Sequence, residues 1–199
     1  SNLPPKAVIE TTHIINEKSE VRLDASGSSD PGNDVLFFEW DRNGDGQIDA
    51  EGEILIYEGD QLGQQKILLI VSEEDNPEAK DEVQISVEVL NVPPEVDAGG
   101  PYAGELNEQV PIDGATAGDP ADPTGETFTY VWDLDDDGTF ETREKEPSFS
   151  RTESGNYKIS LQVQEKDGDP VIATTIVAIK KSGNIDPVAG NDLAETSED

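Results

Sequence analysis

Two stretches of the chain set oxygen-bearing side chains at alternate positions around a glycine. They are Trp40-Asp41-Arg42-Asn43-Gly44-Asp45-Gly46-Gln47-Ile48-Asp49 and Trp132-Asp133-Leu134-Asp135-Asp136-Asp137-Gly138-Thr139-Phe140-Glu141. Asp41, Asn43, Asp45, Gln47 and Asp49 hold loop positions one, three, five, seven and nine, and Asp133, Asp135, Asp137, Thr139 and Glu141 repeat them. Oxygen ligands at that spacing, with glycine at position six to fold the chain back, suit a hard divalent cation, and calcium is the expected cofactor. Glu144 falls at position twelve of the second loop, where a bidentate carboxylate closes the shell. The first loop has Gly52 there, so its site is expected to be the weaker. The same residues also suit Asx turns, in which Asp and Asn bond their own backbone and Gly supplies a positive φ. Spacing alone leaves both readings open. The residues upstream alternate as strands, through Leu36, Phe38 and Trp40 and through Phe128, Tyr130 and Trp132, which argues against the helix-flanked loop of an EF-hand.

The elements that position these loops come from an internal repeat. Asn2-Leu3-Pro4-Pro5 recurs as Asn91-Val92-Pro93-Pro94, Leu23-Asp24 as Ile112-Asp113, and Asp30-Pro31 as Asp119-Pro120. After a short insertion the match resumes for Trp40 with Trp132, Ile67-Leu69-Val71 with Ile159-Leu161-Val163, and Asp75 with Asp167. The repeat predicts domains over 1–90 and 91–182, with 183–199 as a linker and the truncated start of a further repeat. Strands are expected near Lys6–Ile9, Glu20–Ala25, Val35–Trp40, Ile54–Tyr57, Gln65–Val71 and Glu82–Val89. Their counterparts fall near Glu95–Ala98, Val110–Asp113, Thr127–Asp133, Ser148–Arg151, Tyr157–Gln164 and Val171–Ile179. Short alternating runs between Gly, Pro, Asn and Asp clusters, with no helical period, define an all-β chain of two tandem immunoglobulin-like β-sandwiches. Trp40 and Trp132 belong to the cores, where truncation to Ala costs roughly 3 to 5 kcal/mol.

Composition restricts the partners. The 199 residues carry 45 acidic and 13 basic side chains, a formal charge of -32, which repels nucleic acid and anionic membranes. So much carboxylate also opposes compaction. Bound divalent cations relieve that repulsion, although a very soluble or salt-tolerant surface explains the charge equally well. Cysteine is absent, excluding disulfides and thiolate chemistry, and the absence of methionine points to a piece of a longer protein. No apolar run reaches ~20 residues, so no membrane insertion is expected. The single histidine, His13, beside Thr11 and Thr12, suits an exposed edge strand better than a catalytic base, and no nucleophile elbow, phosphate loop or zinc pattern occurs. The chain is therefore expected not to be an enzyme.

The run Leu23 to Pro31, with Phe38-Glu39-Trp40-Asp41 and Asp45-Gly46, resembles the PKD (polycystic kidney disease) domain. The second copy resembles it through Asp97-Ala98-Gly99-Gly100-Pro101-Tyr102, Ile112-Asp113-Gly114, Asp119-Pro120, Tyr130-Val131-Trp132-Asp133, Asp137-Gly138, Gly155-Asn156-Tyr157 and Leu161-Gln162-Val163. Pro187-Val188-Ala189-Gly190-Asn191-Asp192 is similar to the opening of a cadherin-like repeat. The resemblance implies a monomeric, secreted module at a bacterial cell surface, serving as spacer or in adhesion. Its implied partners are neighbouring repeats of the same chain and cell-surface protein or polysaccharide. In a sandwich of this topology the loop after the third strand lies at the end from which the chain leaves. The acidic loop Asp41 to Asp49 is thus expected to face the linker at 91–98 and the next domain's Asp119, Asp122, Glu126, Glu165, Asp167 and Asp169, and calcium there is expected to stiffen the array. The alternative is an accessory module of a secreted hydrolase, presenting Tyr102, Tyr57, Phe37 and Tyr157 to polysaccharide or fibrous protein.

Overall fold

The computed structural model describes residues 3–121, 127–166 and 168–183. Among these residues there is no helix, so none is long and apolar enough to cross a membrane, and every regular element is a strand. Two compact units emerge from the contacts: Ser1–Val96 with Ala117–Thr129 and Val163–Val171, and Asp97–Thr116 with Tyr130–Gln162 and Ile172–Asp199. The further repeat expected to start within 183–199 falls, from residue 184 onward, outside the described residues.

In the first repeat, β1 (Thr12–Asn16), β3 (Leu36–Asp41), β4 (Ala50–Glu51), β6 (Gly63–Glu73) and β7 (Asn76–Leu90) make one sheet in the order β1-β7-β6-β3-β4. The opposing layer is β2 (Glu20–Asp24) paired antiparallel with β5 (Ile54–Glu58). Alternation turns Trp40, Ile67, Leu69, Val71, Ile85, Val87 and Val89 of the large sheet onto Leu23, Leu55 and Tyr57 of the small one, burying all of them. The strand expected at Lys6–Ile9 is reduced to a bridge between Lys6 and Ser29, and the regular strand begins at Thr12. It runs parallel to β7, placing His13 opposite Val87 on an edge strand.

The second repeat follows the same plan. β12 (Thr129–Asp133), β14 (Gly155–Gln164), β15 (Val171–Lys180) and β9 (Tyr102–Glu105) form a sheet in the order β12-β14-β15-β9, with β9 parallel to β15 as β1 is to β7. β10 (Val110–Pro111) pairs with β13 (Ser148–Phe149), and β8 (Glu95–Asp97) pairs with β11 (Thr116–Gly118) where the first repeat has its Lys6–Ser29 bridge. Trp132, Phe149, Ile112, Ile159, Leu161, Val177 and Ile179 are buried.

The two tryptophans are both fully buried, yet differ in one bond. Trp40 donates its indole N–H to Gly52 O at 2.7 Å, whereas Trp132 Nε1 is buried without a partner. A buried unpaired N–H carries a desolvation cost that removal of the group relieves. Replacing Trp40 with Phe forfeits ring area and strands the Gly52 carbonyl, while Trp132→Phe forfeits ring area but discards an orphan donor. Trp40→Phe is expected to be the more damaging by about 1 to 3 kcal/mol, measured by calorimetry or urea denaturation followed by circular dichroism. Equal losses would show that the indole bond contributes nothing.

Candidate metal centre

Both loops begin where a central strand leaves the core. β3 ends at Asp41, opposite Leu68 on β6, and β6 itself begins at Gly63 opposite Val89, so the loop lies towards the end of the first sandwich at which β7 finishes. β4 and the backbone bond from Asp49 N to Trp40 O return the chain to β3. In the second repeat Trp132 bridges Thr142, and Glu141 N reaches Trp132 O. Each loop is thus flanked by strands, as the alternation upstream predicts.

The residue at position one is buried in both copies, at 2 % exposure. Asp41 Oδ1 accepts from Gly44 N at 2.7 Å and Asn43 N at 3.2 Å, and Oδ2 from Gly46 N at 2.8 Å. Asp133 Oδ1 accepts from Asp136 N at 2.7 Å and Asp135 N at 3.3 Å, and Oδ2 from Gly138 N at 2.9 Å. One carboxylate therefore satisfies three loop amides. Gly46 and Gly138 deliver theirs from positive φ, at 86° and 87°, which explains glycine at position six. Burial pushes both carboxyls up, but the backbone N–H donors outweigh it and hold each pKa below the ordinary aspartate value.

Beyond position one the loops diverge. In the second, carboxylate oxygens of Asp133, Asp135 and Asp137 lie within 4.8 Å of one another, a spacing that one cation can span. Thr139 donates its amide to Asp137 Oδ1, and Glu141 and Glu144 are exposed and outside that trio. In the first loop the polar side chains bond to each other. Asn43 Nδ2 and Gln47 Nε2 both donate to Asp45 Oδ2 at 3.3 Å, Asn43 Oδ1 accepts from Asp45 N, and Asp49 Oδ2 accepts from Arg42 N at 2.7 Å. Asx-turn bonding is thus present in both loops, and carboxylates converge in the second.

A further carboxylate group escaped the sequence reasoning. Asp30, Asp34 and Glu73 bring oxygens within 4.8 Å of one another. Glu73 is 3 % exposed, Asp30 Oδ1 accepts from Gly32 N and Asp34 N, and Asp30 Oδ2 is buried without a partner. Asp30 was visible as part of the repeated Asp-Pro turn, but its partner stands 43 residues on and meets it only through the sheet. In the second repeat Asn91 Nδ2 donates to the buried Glu165 at 2.7 Å, leaving Asn91 Oδ1 and Glu165 Oε2 buried and unbonded. Of the acids expected near the linker, Asp122, Glu126 and Asp167 lie outside the described residues.

The aromatic platform is not assembled. Tyr57 is in the core, the Tyr102 hydroxyl donates to Ala98 O and accepts from Gly114 N, and Tyr157 packs on Phe149 with its hydroxyl on Glu153 O. Phe37 alone lies outward, beside Glu39, Ser72 and Pro77.

Fold and site define a β-sandwich module with acidic, strand-flanked loops. Residues 91–179 match the family model of the PKD domain, so the second repeat is a PKD domain. Among solved structures, a nucleoside hydrolase-related hypothetical protein from Saccharophagus degradans is 23 % identical over 45 % of this chain, with a TM-score of 0.39; the chain spans 26 % of its length. The fibronectin(III)-like modules of Clostridium thermocellum CbhA are 15 % identical, covering 88 % of this chain and 95 % of theirs, with a TM-score of 0.35. The insect immune protein hemolin is 8 % identical, covering 88 % of this chain and 47 % of its own, with a TM-score of 0.47.

If Asp41 and Asp133 hold their loops as carboxylates, their contribution to stability is full above the unfolded-state pKa of about 4 and is lost as pH falls through the lowered folded value. Asp41→Asn or Asp133→Asn leaves at least one buried N–H without an acceptor, at an expected cost of about 1 to 3 kcal/mol at neutral pH. Urea denaturation across the acidic range should show the gap to the unmodified protein narrowing below about pH 4. A gap constant with pH would mean that the charge plays no part.

Proposed function

We propose that the chain is a non-catalytic extracellular strut of a repetitive bacterial surface protein, whose sandwiches take calcium at their converging carboxylates and are stiffened by it. One observation carries this reading: carboxylate trios form at two separate places, Asp133 with Asp135 and Asp137, and Asp30 with Asp34 and Glu73. Bringing like charges so close is costly unless a cation is shared among them. The unbonded buried oxygens of Asp30, Asn91 and Glu165 favour the same conclusion, since acceptors without donors suit a cation. In the first loop, Asn43 and Gln47 amides already occupy Asp45, so Asp41, Asn43, Asp45 and Asp49 form the weaker site. The strut's partners are neighbouring repeats of its own chain and protein or polysaccharide at the cell surface.

Oxygen sites of this kind in extracellular modules bind calcium at roughly 0.1 to 1 mM. One such site adds about 0.4 kcal/mol when calcium equals the dissociation constant, and about 2.7 kcal/mol at a hundredfold excess. The apolar cores fold without it. Titration calorimetry of calcium into metal-free protein should show binding in that range, reduced when Asp135 and Asp137 become Asn, and X-ray scattering should give a larger maximum dimension with calcium than with chelator. No heat at millimolar calcium would overturn the metal sites, and an unchanged dimension would overturn the stiffening.

A further inference from the structure

The second acidic loop is gripped from outside as well as from within. Arg151 follows β13, and its guanidinium forks between two carbonyls, donating Nη2 to Leu134 O at 2.6 Å and Nη1 to Ser150 O at 3.0 Å. Leu134 is position two of the loop, directly after the buried Asp133. The fork is itself held in place. It lies 4.3 Å from the Phe149 centroid and 5.2 Å from that of Tyr157, rings that pack on each other at 5.7 Å, and Asn107 N donates to Arg151 O. A second cation, Lys158 of β14, places Nζ 2.5 Å from Oδ1 of the loop residue Asp136.

The first loop has neither hold. The repeat puts Gly59 at the place of Arg151, and the backbone agrees: Lys18 N donates to Gly59 O as Asn107 N does to Arg151 O, both donors having positive φ, 55° and 64°. Asp136 is matched by Gly44, which has no side chain, and Lys66, matching Lys158, forms no ion pair among the described residues. The arginine of this loop, Arg42 at position two, stands 5.8 Å from the Tyr57 centroid, and its backbone N takes Asp49 Oδ2. The difference in grip runs parallel to the difference in side chains. Carboxylates converge in the second loop, while in the first Asp45 is occupied by the amides of Asn43 and Gln47.

We propose that Arg151 is the positioning residue of the second loop: from the β10–β13 layer it fixes the backbone at Leu134, so that the carboxylates of Asp133, Asp135 and Asp137 stay gathered without metal and meet a cation already in place. Three like charges tend to spread the loop. A carbonyl bonded to a charged donor resists that, and a planar fork shared by two carbonyls loses little freedom in doing so. The consequence for calcium rests on the strut reading, whereas the positioning of the metal-free loop does not. Arg151→Lys keeps the charge and loses the fork. An effect of charge alone therefore predicts no change in that variant, and positioning predicts a loss.

The test is solvent exchange of backbone amides, measured by nuclear magnetic resonance in chelator and followed by calcium titration, on the unmodified protein and Arg151→Lys. The amides of Asp135, Asp136 and Gly138, which bond to Asp133, should exchange about five- to tenfold faster in the variant. Those of Gly44 and Gly46 in the first loop, and of Ile159 and Leu161 in the core, should be unchanged. A merely structural role would speed the core amides too. Calcium, followed separately at Gly138 and Gly46, should bind the second loop about fivefold more weakly and the first as before. If Arg151→Lys does not fold, Arg151→Met keeps a flexible apolar contact with both rings and carries the exchange comparison. Unchanged exchange in the second loop, a rise shared with Ile159 and Leu161, or undiminished calcium affinity at the second loop would each overturn the proposal. An unmodified protein that takes up no calcium would overturn the strut reading alone, and the exchange rates would then decide whether Arg151 positions the loop.

Discussion

One aspartate per repeat, sunk in the protein beside a buried tryptophan, holds the architecture of the acidic loops together. Asp41 and Asp133 follow Trp40 and Trp132 directly, so the residue that fills the core and the residue that folds the loop are covalent neighbours. Each carboxylate takes three backbone N–H groups that would otherwise turn inward unpaired. The cost of burying a charge is offset by these bonds, which is why the pKa of each falls despite its burial. The remaining acids of the loop then project from a fixed backbone.

That arrangement explains how a chain with a charge of -32 forms two sandwiches. Most of the carboxylates are spread over the surface, where water screens them. Those of Asp133, Asp135 and Asp137, and of Asp30, Asp34 and Glu73, are held close. Packing does not require such gathering, since the cores are apolar and close without it. The charge that composition shows only as a total is therefore unevenly placed, and the uneven parts are where a cation has most to offer.

Much of this was legible in the sequence. The tryptophans, the alternation of Val83, Ile85, Val87 and Val89, and the offset between the repeats were enough to give the sandwiches and their cores. Edge elements were harder to read. Lys6–Ile9 and Thr12–Asn16 are both β-branched and short, and pairing with β7, not local pattern, decides which of them is the strand. Tyr57 is one of the four aromatics expected in a platform, but its alternation with Leu55 places it inward. The loops were ambiguous for a physical reason: the same positions serve a cation and a set of Asx turns, and in the second loop the structure contains both the turns and a convergent trio. The Asp30 group and the orphaned oxygens of Asn91 and Glu165 depend on contacts between distant segments that no spacing records.

The carboxyl carbons of Asp41 and Asp133 offer the most direct measurement, by carbon-detected nuclear magnetic resonance titration of the metal-free protein. If these two side chains organise their loops as buried, hydrogen-bonded anions, both titrate below the ordinary aspartate value of about 4, and the amide signals of Gly46 and Gly138 move with them. Titration at or above that ordinary value would contradict the account.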